Sequence, residues 1–376
     1  MFKHLRLGAF LSLFLLGTSS QASEIILGQV APFSGPLAPT GTAYRAGINL
    51  YIESLNASGG ILGSRLKLVS TDDEYKSEQT VKLARDMIRD SKPLALIGVV
   101  GTGNVSALLK EKVLDESGTP LVGVRTGAAA LVNSGNPNLF FTRASYADEI
   151  TKIVELYSLT GNSRFAVFYQ NDGFGQDGLG SAEKIIAQFK GQIVAKGSYE
   201  KNTTDVAAAV KTIAAASPQA VIMVSNTAAS AEFVKQMRAA GNASQLTSLS
   251  TTDGPQVVAK IGPDLAKGLA ITQVVPAPNN LSAPLIKEIQ AAHKRFAAPD
   301  TPLNYTMIEG YLAAKIIGEG LRKAGPNPTR KQLREALKSF RTVDLGGVTV
   351  NFSGASQAGV QFVDITILNR EGKLLR

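Results

Sequence analysis

Leu94-Ala95-Leu96-Ile97-Gly98-Val99-Val100 is a short, continuous apolar run, and Gly101-Thr102-Gly103-Asn104-Val105-Ser106 follows it directly. The run has no polar alternation, so as a strand it must be covered on both faces, the situation of a parallel sheet sandwiched between helices. The glycine-rich turn opens a helical stretch over 106–116, and 120–124 is the next apolar strand. Upstream, 25–30 has the character of a buried strand and 65–70 of a second. Between them, apolar residues at Ala43, Ala46, Gly47, Leu50, Tyr51 and Leu55 follow the helical period until Gly59-Gly60 ends it. Residues 79–89 make another helix. Strand and helix alternating in this way predict an α/β fold with a doubly wound parallel sheet.

The rhythm restarts after Ser145. Helices over 146–159, 178–189, 205–216 and 230–241 alternate with strands over 164–169, 193–199 and 220–225. Two comparable units in succession predict two similar lobes. Past Pro276 and a Pro/Asn-rich stretch come helices over 284–296, 306–324 and 329–340, the last with Thr329 as its cap after Pro326 and Pro328. Strands over 348–352 and 362–369 close the chain. Late helices of this kind fill out the first lobe, so the chain crosses between lobes more than once.

The length of 376 residues exceeds what one ordinary hydrophobic core holds, and 44% hydrophobic with 18% charged residues is the composition of a folded protein. The absence of cysteine excludes disulfides, thiolate metal sites and Cys nucleophiles. Two histidines, His4 and His293, cannot build a histidine-rich metal site, and no two acids are spaced convincingly as general acid and base. A non-enzymatic protein without metal or cofactor is expected. The net charge is +9, but the longest basic cluster (Arg330, Lys331, Arg334, Lys338) sits at helical spacing without interleaved aromatics. That is the pattern of a solvated helix face, so no nucleic-acid partner is expected.

Lys3 and Arg6 precede an apolar run over 7–16, and Ser20-Gln21-Ala22 carries small residues at the two positions that signal peptidase reads. A run this short cannot cross a hydrocarbon core about 30 Å thick. The expectation is a signal peptide over 1–22, cleaved after Ala22, and an exported, soluble mature chain with no membrane span.

The turn at Gly101-Thr102-Gly103 offers backbone N–H groups and the positive end of a helix dipole to an anion, with the Thr102 hydroxyl beside them. The alternative is that Asn104 caps its own helix. A dinucleotide fingerprint is a poor match, because the turn follows the third strand and lacks the final glycine. Arg125-Thr126-Gly127 ends the neighbouring strand, and in an open α/β sheet both loops face one crevice. Arg125 either pairs with an acidic ligand or is a solvated charge or a bridge to another loop. Phe174, between two glycines, either touches an apolar ligand group or packs on its helix. Asn226-Thr227 and the stretch from Ser250 to Asp253 also end apolar runs. Arg143 and Glu309 are charged residues in apolar settings, and a buried structural role suits Arg143.

Several segments together resemble the branched-chain amino acid type of periplasmic solute-binding protein, the receptor component of ABC importers. They are 28–35 (Gly-Gln-Val-Ala-Pro-Phe-Ser-Gly), Ala57-Ser58-Gly59-Gly60-Ile61-Leu62-Gly63, Leu96-Ile97-Gly98, Pro120-Leu121-Val122-Gly123, Phe141-Thr142-Arg143, Phe174-Gly175 and Glu309-Gly310-Tyr311. The similarity spans essentially the whole mature chain. It implies a type I periplasmic binding protein: two α/β lobes joined by three crossovers and closing on a ligand. With crossovers near Ser145, Pro276 and Ser353, the first lobe would be 23–144 plus 277–352 and the second 145–276 plus 353–376.

By the same resemblance, Thr102 and Gly103 would hold a ligand carboxylate through a hydroxyl and backbone amides. Thr126 and Gly127 would form the second ligand-holding turn, with Arg125 a departure from the family, and Phe174 would be the aromatic contact. Asn226 and Thr227 fall where the family often has a tyrosine. The acid that grips the ligand ammonium in leucine binders falls near Ser250, which carries no charge, with Asp253 three residues on. An amide or an organic or aromatic acid therefore fits as well as an amino acid. The implied function is delivery of a small carboxylate-bearing ligand to ABC permease subunits by a periplasmic monomer. A ligand-sensing subunit for a signalling receptor is the alternative.

Overall fold

Five parallel strands form the first sheet of the computed structural model, which describes residues 23–354 and 357–376. The expected signal peptide lies outside the described residues. The strands are β1 (Glu24–Ala31), β2 (Arg65–Asp72), β3 (Ala95–Ile97), β4 (Leu121–Val122) and β5 (Leu139–Phe140), in the order β2-β1-β3-β4-β5. A second sheet begins with β6 (Arg164–Gln170), β7 (Gln192–Tyr199), β8 (Ala220–Val224), β9 (Gln245–Ser248) and β10 (Ala270–Gln273). Its parallel part runs β7-β6-β8-β9-β10, so the two lobes repeat one topology. After a small hairpin of β11 (Val343–Asp344) and β12 (Thr349–Val350), β13 (Asp364–Leu368) and β14 (Leu374–Leu375) add antiparallel to the β10 edge. All three residues of β3 and all five of β8 are buried, as strands covered by helices on both faces require.

In each lobe the strand order reverses beside the first strand, between β1 and β3 and between β6 and β8. Loops leaving the carboxyl ends of strands at such a switch point diverge to opposite faces and open a crevice. The two crevices build the cleft.

The late helices rejoin the first lobe through a close crossing. The helix Tyr305–Ala324 packs along the helix Ala38–Ala57. Glycine is required at the crossing: a Cβ on Gly47 would lie 1.9 Å from the Met307 carbonyl oxygen, and one on Gly310 would lie 2.2 Å from that of Tyr44. Thr329 caps the helix Arg330–Lys338 with a reciprocal Gln332 bond, as its sequence position predicts.

Local bounds shift at several elements, two of them beside the cleft. The helix read over 106–116 begins earlier and divides into Thr102–Lys110 and Val113–Ser117, because Lys112 is left-handed at φ 53°. The strand read over 94–100 narrows to β3 because Gly98, at φ +70°, turns the chain out of the ladder. β5, β9 and β10 are too short to carry a period of their own, and their strand character comes from the neighbours they pair with.

Candidate ligand-binding cleft

A cavity lies where the carboxyl ends of the two sheets face each other. The first lobe contributes Tyr75 after β2, Gly101 and Thr102 after β3, and Arg125 after β4. The second contributes Phe174 after β6, Asn226 after β8 and Thr251 after β9. In this conformation the space between the side chains is about 20 Å³, enough for about one water molecule. A ligand of several heavy atoms does not fit in this space as it stands.

The helix Thr102–Lys110 has Gly101 at its N-cap and no side chain capping its first turn. Its first amides, at Thr102, Gly103 and Asn104, have no helical acceptors. Asn104 does not cap this helix. Its amide donates to Thr80 Oγ1 at 2.7 Å and Asp73 Oδ2 at 3.2 Å, and its oxygen accepts from Ser77 and Lys201. Thr102 Oγ1 meets Thr126 Oγ1 at 2.7 Å, joining the loops after β3 and β4. Gly127 holds the second loop against the next helix, its carbonyl accepting the Tyr146 N–H at 2.8 Å.

Tyr75 is set by a strained turn. Glu74 and Tyr75 are both left-handed, at φ 52° and 59°, a conformation that costs non-glycine residues free energy and needs compensation nearby. Asp72 Oδ1 accepts from the Glu74 N–H and Asp73 Oδ1 from the Tyr75 N–H, each at 2.9 Å. Burial raises the Asp73 pKa, although the bonds from Thr80, Tyr75 and Asn104 oppose it. The turn lays the Tyr75 ring over Gly101, whose φ is +102° and where a Cβ would come within 2.4 Å of the ring.

Two buried arginines meet here, Arg125 in the wall and Arg143 behind it. Arg125 sends Nη2 to the Ser250 carbonyl at 3.0 Å and to Thr306 Oγ1 at 3.2 Å, with Glu309 Oε1 at 3.5 Å. Its Nε–H has no partner among the described residues, and Arg125 is 5% exposed. Arg125 is thus a bridge to the Ser250 loop and not a solvated charge. Arg143 bonds Glu149 Oε1 at 2.7 Å, Glu309 Oε2 at 3.3 Å, the Ser250 hydroxyl and the Ala144 carbonyl. Burial works against its charge, but Glu309 and Glu149 outweigh burial and hold its pKa above the ordinary value.

The structure brings Thr102, Arg125, Phe174 and Asn226 to the cavity wall, with Gly103, Thr126 and Gly127 immediately behind. Thr227, Ser250 and Asp253 lie outside the lining. Ser250 is drawn away by Glu149, which accepts from both its N–H and its hydroxyl. Thr227 Oγ1 accepts the Asp253 N–H, and Asp253 caps the helix Gly254–Ile261. Asn226 caps the helix Thr227–Ala239 and gives its amide to Gln170 and Tyr199. Phe174 packs against Tyr146 with centroids 5.1 Å apart. Tyr75, Tyr146 and Thr251 also line the wall. The only sequence signal for them is their place just after strands β2, β5 and β9.

Further contacts join the lobes around the cavity. Lys201, in the loop after β7, reaches Asn104 Oδ1 at 3.3 Å and lies 4.0 Å from the centre of the Tyr75 ring. Asp177 accepts the N–H groups of Ala129 and Ala130 at 3.0 and 3.2 Å, and burial raises its pKa.

A family model described as periplasmic binding protein matches residues 24–373. The chain is 25% identical to the Brucella suis Leu/Ile/Val-binding protein homolog 7, over 86% of this chain and 83% of that one. It is 26% identical to an amino acid binding protein of Pseudomonas aeruginosa, over 86% of this chain and 85% of that one. Among solved structures, a substrate-binding periplasmic protein from Ralstonia solanacearum superposes with a TM-score of 0.89 at 39% identity, covering 93% of this chain and 99% of that one.

Proposed function

The chain belongs to the periplasmic binding protein family, and we propose that it is an exported receptor of an ABC importer. It takes a small carboxylate-bearing ligand (amino acid, amide, or organic or aromatic acid) between its lobes and delivers it to a membrane permease. The moving bodies are 23–144 with 277–352 and 145–276 with 353–376, hinged at the three crossings. The observation that carries this reading is the cavity walled by both lobes at their switch points, with the Arg125 Nε–H unpartnered and a helix N-terminus uncapped in its wall. The relatives named for leucine, isoleucine, valine and amino acids support the ligand size and the carboxylate.

In this mechanism the Thr102 hydroxyl and the amide N–H groups of the uncapped helix donate to the ligand carboxylate, with Thr126 steadying Thr102. Phe174 and Tyr146 pack against the ligand body. A ligand that touches both lobes favours the closed state by its contacts there, and the permease recognises that state. Native mass spectrometry of protein from its own periplasm should find one small solute. Returned to stripped protein, that solute should lower the radius of gyration in small-angle scattering. An unchanged radius at saturation, with the stripped protein shown to be open, overturns the reading.

A further inference from the structure

We infer that the ligand is an apolar monocarboxylate without an amino group, and that Arg125 is the residue that selects it. The inference rests on the cleft function proposed above and narrows its ligand class. Among the described residues the cavity wall carries one cation, Arg125, and no carboxylate. The nearby acids are turned to other work. Glu149 takes Arg143, Ser250 and Thr272, and Glu309 lies between Arg143 and Arg125. Asp172 accepts the N–H groups of Phe174 and Gly175 with one oxygen and the Gln170 amide with the other. Asp253 caps its own helix outside the lining.

An ammonium group closed into this space would therefore be buried beside a guanidinium with no anion to meet it, which is strongly unfavourable. A carboxylate meets the reverse situation. Among the described residues the Arg125 Nε–H is without an acceptor, and the guanidinium's ion-pair contact with Glu309 is at 3.5 Å, longer than an ordinary hydrogen bond. An unpaired donor of a buried charged group is costly unless a ligand satisfies it. Thr102 and the uncapped helix start lie in the same wall as Arg125, so the cavity gathers donors suited to an anion. The rest of the wall pairs Leu37, Val100 and the rings of Tyr75, Tyr146 and Phe174, which suit an apolar body, with the uncharged polar groups of Thr40, Asn226 and Thr251.

Calorimetry on stripped mature protein with matched pairs tests this: 4-methylpentanoate against leucine, and 3-phenylpropanoate against phenylalanine. At least one acid should bind at least tenfold more tightly than its amino acid. Tighter binding of either amino acid than of its acid overturns the inference and leaves the receptor function standing. If none of the four binds, the inference also fails, and scattering with the carried-over solute decides separately whether the receptor function survives. For Arg125 itself, Arg125→Lys keeps a charge opposite Glu309 but loses the Nε–H. It should weaken acid binding at least tenfold, and a folded variant with unchanged affinity overturns the assignment. A wild-type measurement decides the same point if the variant folds poorly. The neutral 4-methylpentanamide should bind at least tenfold more weakly than 4-methylpentanoate, and equal affinities overturn selection by the Arg125 charge.

Discussion

Arg125 and Arg143 leave the carboxyl ends of adjacent strands, β4 and β5, and both touch Glu309 and the Ser250 segment. They are buried to nearly the same degree, at 5% and 1% exposed. Every nitrogen of Arg143 has a partner, two of them with carboxylates. The side-chain bonds of Arg125 gather on Nη2, and Nε is left without one. Charge and burial alone would give the two residues the same role. The difference lies in which donors the protein itself satisfies, because a buried donor left over is either a cost or a place for a ligand.

The largest effect expected from this contrast is on stability. Arg143→Met leaves Glu149 and Glu309 buried without their main cation and should cost about 3–5 kcal/mol in chemical denaturation. A loss below about 1 kcal/mol would erase the distinction between a structural and a ligand-facing arginine.

On the cavity side the effect should fall on affinity. Thr102→Val preserves shape and removes one hydrogen bond to a charged group, about 1.5–3 kcal/mol or roughly a tenfold to hundredfold weaker binding by calorimetry. Unchanged affinity in a folded variant would return the 101–106 turn to a purely structural role.

Ser250→Ala sharpens the same contrast from the structural side. Its hydroxyl bridges Arg143 and Glu149 and does not line the cavity. The variant should lose about 1–2 kcal/mol of stability with ligand affinity nearly unchanged. A large affinity loss at intact stability would place Ser250 in the ligand's path.

The smallest effect concerns the contact between lobes at Lys201. Lys201→Ala removes the bond to Asn104 and the packing on the Tyr75 ring as well as a charge that burial disfavours, so binding should change by no more than about fivefold. Burial lowers the Lys201 pKa from 10.5, against the pull of Asp172 and Asp73. The closed form then binds fewer protons than an open form in which Lys201 is solvated. Wild-type affinity should therefore rise with pH from the lowered value toward 10.5 and level off above it. Calorimetry across that range should show the rise in wild type and a flat profile in Lys201→Ala.

The sequence by itself determined most of the element order, the parallel sheets, the repeat of one α/β unit and several of the loops that line the cavity. Those features follow from periodicity and turn chemistry within single elements: the apolar run before Gly101, the helical spacing up to Gly59, the cap at Thr329. The tertiary structure decided what each polar group meets. Asn104 serves Asp73 and Thr80 and not its own helix, Ser250 is captured by Glu149 from the helix Tyr146–Leu159, and Tyr75 reaches the cavity through a left-handed turn. Arg125 and Arg143 part company only because Glu149, Ser250 and Glu309 arrive from distant segments and saturate one guanidinium more fully than the other. Periodicity is a property of neighbours along the chain, whereas hydrogen-bond saturation depends on groups brought together by packing across both lobes.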